Sequence, residues 1–119
     1  MDPNLASLSI EVGDTLRPRR LILATAESCT GGWAAQVVTH TAGSSIWFDR
    51  GFVTYANDAK IAMLGVRPET LDAFGAVSPE TANEMAEGAL RNSKALISLS
   101  ITGIAGPTVL KSQVLSGGR

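Results

Sequence analysis

The stretch Thr25-Ala26-Glu27-Ser28-Cys29-Thr30-Gly31-Gly32 places a carboxylate, a hydroxyl, a thiol and a second hydroxyl in consecutive order, where an apolar run gives way to paired glycines. Tyr55-Ala56-Asn57-Asp58-Ala59-Lys60 adds a phenol and an amine, and Thr102-Gly103-Ile104-Ala105-Gly106 adds a further hydroxyl and unencumbered backbone N–H groups. A hydroxyl or thiol beside an amine, with N–H donors for a developing oxyanion, is the equipment of acyl transfer. With His40 the single histidine of the chain, the base must be something else. A lysine desolvated in a pocket has its pKa lowered enough to serve, so Lys60 is the candidate. It falls in the first turn of an expected helix, where the positive dipole end disfavours its charge, and Tyr55 is placed to orient or relay the proton. The N–H groups of Cys29, Thr30 and Gly31 form the expected cradle for an oxyanion or a phosphate.

Each of these groups also has a plain structural use. Ser28 or Thr30 serves equally well as the cap of the helix that follows. Tyr55 alone reads as a core ring with a satisfied hydroxyl, Lys60 alone as a solvated amine, and the glycines as turn residues. A P-loop is rejected, because the diagnostic lysine followed by Ser or Thr is absent.

Composition narrows the classes further. The 119 residues are 45% hydrophobic, enough for one core and too few for two ordinary domains. Net charge is −1 with no basic run, which argues against a nucleic-acid partner. No apolar window is long enough for a bilayer crossing, and Met1-Asp2-Pro3-Asn4 lacks the features of a secretory signal, so a cytoplasmic protein without membrane contact is expected. Cys29 is the sole cysteine, which excludes an internal disulfide; together with one histidine it excludes a Cys/His zinc site, and no metal or cofactor is expected.

The elements that must carry these groups follow from periodicity. Leu5, Leu8, Val12 and Leu16 recur on one stripe, predicting a helix over 4–16 ended by Arg17-Pro18. Residues 21–26 form a nearly all-apolar run of the kind found in a strand covered on both faces. Trp33, Ala34, Val37 and Val38 give the apolar stripe of a helix ending before Ala42, with His40 a solvated C-terminal residue. A strand over 51–55 follows, then a helix from Asp58 to Leu64 with Asn57 as N-cap and Gly65 as stop. Pro68 opens a short helix stopped by Gly75, and Ser78-Pro79-Glu80 opens a longer one burying Ala82, Met85, Ala86, Ala89 and Leu90. Residues 96–101 form a third strand. If the strands are parallel, the three chemistry-bearing loops meet at their carboxyl edge.

Taken in order, TAESCTGG at 25–32, AGSS at 42–45, GFVTYANDAK at 51–60, LGV at 64–66, GAVS at 75–78 and TGIAGP at 102–107 resemble the CinA C-terminal domain family of competence/damage-inducible proteins. The resemblance implies a three-layer α/β/α sandwich with a mostly parallel central sheet. It also implies hydrolysis of the carboxamide of nicotinamide mononucleotide to nicotinic acid mononucleotide and ammonia, without a metal or cofactor. It assigns Ser28 as nucleophile, Lys60 as base and Tyr55 as its partner, with Ser45 helping at the substrate. Cys29, Thr30 and Gly31 then serve the oxyanion, and Thr102, Gly103 and Gly106 line the nucleotide pocket. Two other readings stay open. Cys29 is the nucleophile with Lys60 and Glu27 in an arrangement of nitrilase type, or the domain binds a nucleotide or a partner without catalysis.

On this reading residues 1–107 form the amidohydrolase-like domain and 108–119 an atypical tail. The tail departs from the glycine-rich loop, strand and C-terminal helix that the family pattern leads one to expect, and reads like those codons in a shifted frame. A chain starting with Met is expected to stand alone. Loss of a strand and a helix would expose a sheet edge, so a homo-oligomer is expected.

Overall fold

The computed structural model describes residues 1–103 and 112–117. In chain order it contains α1 (Pro3–Leu16), β1 (Leu23–Glu27), α2 (Trp33–Thr39), a 3-10 turn (Ser44–Ile46), β2 (Phe48–Val53), α3 (Asn57–Leu64), α4 (Pro68–Phe74), α5 (Pro79–Arg91), β3 (Ile97–Thr102) and β4 (Ser112–Gly117). The four strands form one sheet in the order β2-β1-β3-β4. β1 pairs in parallel with β2 and with β3, while β4 runs antiparallel along β3.

All five side chains of β1 are buried, as a strand sandwiched between two helical layers requires. Its alternation divides the core. Ala24 and Ala26 pack with Leu64, Val66, Met85, Ala89 and Leu90 beneath α3 and α5. Leu23 faces the other way, with Leu16 and Trp47 and the half-buried Val12 and Val38 beneath α1 and α2. The result is the expected α/β/α sandwich.

Close approach on the α5 side is made by small residues and hydroxyls. Ser98 and Ser100 on β3 donate to the carbonyls of Ala86 and Ala82 on α5 at 2.8 and 2.7 Å. Buried hydroxyls in a strand are thereby satisfied by helix carbonyls. At Gly88 a Cβ would overlap the carbonyl of Leu64, so α3 and α5 cross where only glycine fits. α5 itself follows the sequence closely: Ser78 accepts from the Thr81 N–H at 3.1 Å, Pro79 takes the first helical position, and the five expected apolar residues are buried.

Elsewhere tertiary packing overrides the periodicity. α1 buries Ser9, Gly13 and Leu16 and leaves Leu8 52% exposed, because the Trp47 indole lies where a side chain on Gly13 would stand. A large ring on the sheet side selects small residues on the helix and rotates the buried stripe by one position. Trp33, expected in the buried face of α2, is 56% exposed. Asn57 is the first helical residue of α3 and not its cap; Ala56 takes the cap position and makes no side-chain bond. Gly65 ends that helix in the left-handed region, as expected.

The tail expectation also differs from what is found. Within 108–119, Ser112–Gly117 forms a strand whose register runs from Thr102↔Ser112 to Ile97↔Gly117. The edge of β3 is therefore paired and not left open. Residues 104–111, including Gly106 of the expected nucleotide pocket, lie outside the described residues.

Candidate active site

The site follows from the connections. β1 leads into α2 on one face of the sheet, and its parallel neighbour β2 leads into α3 on the other. Adjacent strands whose following loops diverge to opposite faces open a crevice at their carboxyl ends, the usual place for a ligand in such sheets. The loop 28–32 and the segment 54–60 form the two lips of this crevice.

The first lip is organised by Glu27. Its side chain has no exposed surface. Oε1 accepts from the Thr30 hydroxyl at 2.6 Å and from the Ala34 N–H at 2.8 Å, and Oε2 accepts from the Ala35 N–H at 2.9 Å. A buried carboxylate thus fills the first-turn amides of α2, where a negative charge is favoured by both hydrogen bonding and the helix dipole. Neither Ser28 nor Thr30 caps α2 directly. The same filling removes those amides as a phosphate site. Gly31 and Gly32 adopt φ of 63° and 102°, the left-handed turn that leads into the helix.

Ser28 is 7% exposed, and its N–H continues the ladder to the Ile101 carbonyl at 2.9 Å. Cys29 is half-buried. The expected oxyanion donors divide: the Gly31 N–H is taken by the Ser28 carbonyl at 3.1 Å, whereas those of Cys29 and Thr30 make no hydrogen bond among the described residues. Gly31 is therefore removed from the donor set by its own turn.

The second lip carries Lys60, 1% exposed. Its Nζ donates to the Thr54 carbonyl at 3.0 Å and the Tyr55 carbonyl at 3.1 Å. Desolvation lowers its pKa from the ordinary 10.5, and a smaller electrostatic contribution from Cys29 opposes this in part. The two lips are tied through backbone: the Thr54 N–H donates to the Glu27 carbonyl at 2.8 Å, and the Thr54 carbonyl receives Lys60.

Three sequence expectations need correction. Tyr55 meets Lys60 through its carbonyl and not its phenol, and its side chain is 66% exposed, because strand β2 ends at Val53 and turns the ring outward at the rim. Ser45 lies in the turn before β2, at the amino edge of the sheet. Parallel strands put their starts and ends at opposite edges, so within one chain Ser45 is not brought to Ser28. Thr102 is at the carboxyl edge, but its hydroxyl donates to the Ala76 carbonyl at 2.9 Å and locks β3 to the turn before α5. Gly103 follows it, half-buried. Glu27 is the site residue whose role sequence reasoning missed. An acid at a strand end immediately before a helix start was the available signal.

A polar cavity of about 310 Å³ lies apart from this crevice, lined by Gly65, Arg67, Glu84, Glu87 and Arg91 near the far end of α3. Burial raises the Glu84 pKa, but the Arg67 N–H, the Thr70 hydroxyl and the Arg67 guanidinium outweigh it and hold the carboxyl below its usual value. No helix among the described residues is long and apolar enough to cross a membrane, and no cluster of metal-ligating side chains is found among them.

A three-layer α/β/α domain with a crevice at the carboxyl ends of two diverging parallel strands, holding a buried lysine opposite a serine-bearing turn, defines the class. Residues 5–117 match the CinA C-terminal domain, and the chain belongs to that family. It is 57% identical over 106 residues to the nicotinamide-nucleotide amidohydrolase PncC of Escherichia coli strain K12, a match covering 89% of this chain and 64% of that protein. A CinA-like protein of Chloroherpeton thalassium is 57% identical over 100 residues, covering 84% of this chain and 24% of that protein. The crystal structure of the competence/damage inducible protein CihA of Agrobacterium tumefaciens superposes with a TM-score of 0.87 at 50% identity, over 92% of this chain and 66% of that one. The chain thus spans slightly under two thirds of the length of the amidohydrolase relatives.

Proposed function

We propose that this chain is an amidohydrolase that deamidates nicotinamide mononucleotide, with Ser28 as nucleophile and Lys60 as base. The observation that carries the reading is Lys60: a fully buried amine, held by two carbonyls on the lip facing the Ser28 turn, with its pKa lowered by desolvation. An amine in that setting is available unprotonated nearer neutral pH.

In this mechanism the Lys60 amine takes the Ser28 hydroxyl proton as Oγ attacks the carboxamide carbon. The Cys29 and Thr30 N–H groups receive the oxyanion. Collapse breaks the C–N bond, the Lys60 ammonium returns the proton to the leaving nitrogen, and ammonia departs. Water then hydrolyses the acyl ester to nicotinic acid mononucleotide. Tyr55 holds Lys60 by its carbonyl and presents its phenol at the rim, and Gly103 borders the nucleotide. A cytoplasmic location completes the proposal.

The nitrilase-like alternative is disfavoured because Glu27 has no exposed surface and already accepts three hydrogen bonds, which leaves it no role as a base. A non-catalytic binding module is the second reading. It draws on one observation: no Ser28–Lys60 hydrogen bond is present among the described residues, although such bonds often tighten only with substrate bound. Ammonia release from nicotinamide mononucleotide, measured for the wild type and for Ser28→Ala, separates them. Binding without release favours the module.

A further inference from the structure

We propose that Glu27 is the positioning residue of the nucleophile turn, acting on Ser28 through Thr30 and the first turn of α2. The inference rests on the reading of Ser28 as nucleophile.

Three features of the geometry point there. Glu27 and Ser28 are adjacent at the end of β1, so anchoring one fixes where the other leaves the sheet. The Glu27 carboxylate reaches forward to clamp both ends of the intervening turn, Thr30 by its hydroxyl and Ala34 and Ala35 by their N–H groups. Its own carbonyl accepts from Thr54, whose carbonyl in turn holds Lys60. One residue therefore fixes the nucleophile turn and, through two hydrogen bonds, registers it against the base.

An acid is required here, and glutamine cannot replace it. The carboxylate accepts from three donors and donates to none. A glutamine amide would point an N–H₂ group at one of them, leaving a buried donor unmatched and pushing the turn from its place. Displacements on the scale of an ångström at a reacting group cost rate without abolishing binding.

The test pairs Glu27→Gln with Thr30→Val, which removes only the hydroxyl inside the turn and leaves the α2 amides filled. Readouts are kcat and KM for nicotinamide mononucleotide, the pH profile, thermal melting, and the alkylation rate of Cys29 by iodoacetamide, which reports the turn without any need for turnover. We expect kcat to fall about 100-fold in Glu27→Gln and about tenfold in Thr30→Val, with KM changing by less than about threefold and the Lys60 limb of the pH profile unmoved. Thr30→Ser should restore kcat. Cys29 alkylation should accelerate several-fold in both variants. Unchanged kcat and Cys29 reactivity, with only melting affected, would reduce Glu27 to a helix cap and overturn the proposal. Loss of a limb of the pH profile in Glu27→Gln would overturn it in favour of a general base. A wild type that releases no ammonia defeats the functional reading alone, because the Cys29 rates still decide the positioning role.

Discussion

The two strand-to-helix junctions that border the crevice look alike in outline and are built on opposite charges. At the β1–α2 junction a buried carboxylate takes up the N–H groups of the helix it precedes. At the β2–α3 junction a buried amine takes up the carbonyls of the strand end behind it, and the helix start has no side-chain cap. The first arrangement satisfies its group, since three donors meet the two oxygens of the Glu27 side chain. The second disfavours its charge, since two neutral carbonyls do not repay the loss of water around an ammonium. One junction is therefore a fixed frame, and the other holds a group poised to exchange a proton.

Perturbing each junction tests that contrast. The largest effect is expected at Lys60: Lys60→Met should lower kcat by about 10²–10⁴-fold, the usual contribution of a positioned general base. In the wild type, kcat/KM should climb with pH and level off above a pKa lower than 10.5, because only the neutral amine accepts the serine proton. The same shift acts on stability. The folded chain releases the Lys60 proton at lower pH than the unfolded chain, so between the folded pKa and 10.5 the unfolded state binds more protons and stability rises with pH. Chemical denaturation across that range should show the rise in wild type and a flatter line in Lys60→Met.

Tyr55→Phe probes the same junction more gently. The phenol is exposed and the Lys60 contact is backbone, so turnover should drop by less than about tenfold, below the range for loss of an acid or base, and the pH profile should keep its shape. A loss as large as that of Lys60→Met would show that the ring turns inward to work with the lysine.

Away from the crevice, Glu84 has its pKa held below the ordinary 4.5, so its stabilisation is complete above that value and lost as the pH falls through the lower folded one. Glu84→Gln should reduce the acid sensitivity of unfolding without altering turnover. The smallest effect is expected at Thr25, next to the framed junction. Its hydroxyl is buried without a hydrogen-bond partner among the described residues, so Thr25→Val should leave stability within about 1 kcal/mol of wild type in urea titration.

Much of the framework was legible in the sequence. The apolar run at 21–26, the Ser78-Pro79 helix start and the Gly65 stop are local signals, and β1 at Leu23–Glu27, α5 and the end of α3 follow them. Lys60 stands out as the candidate base because the chain has one histidine, and it is buried; Ser28 as its nucleophile is assigned by the family resemblance. What could not be read depended on partners distant in sequence. Leu8 turned outward because Trp47 occupies the space above Gly13. Ser45 shares a motif with the site but sits at the wrong edge of a parallel sheet, a fact of topology that no local string contains. Glu27 was visible only as a polar residue at a turn; its meaning lies in amides seven and eight residues onward.

The most direct test of the central claim is ammonia release from nicotinamide mononucleotide by the 119-residue chain, run beside Ser28→Ala with circular dichroism to establish that both are folded. The account predicts turnover in the wild type and none above background in the variant. Turnover that survives in a folded Ser28→Ala, or that vanishes instead with Cys29→Ala, would contradict it.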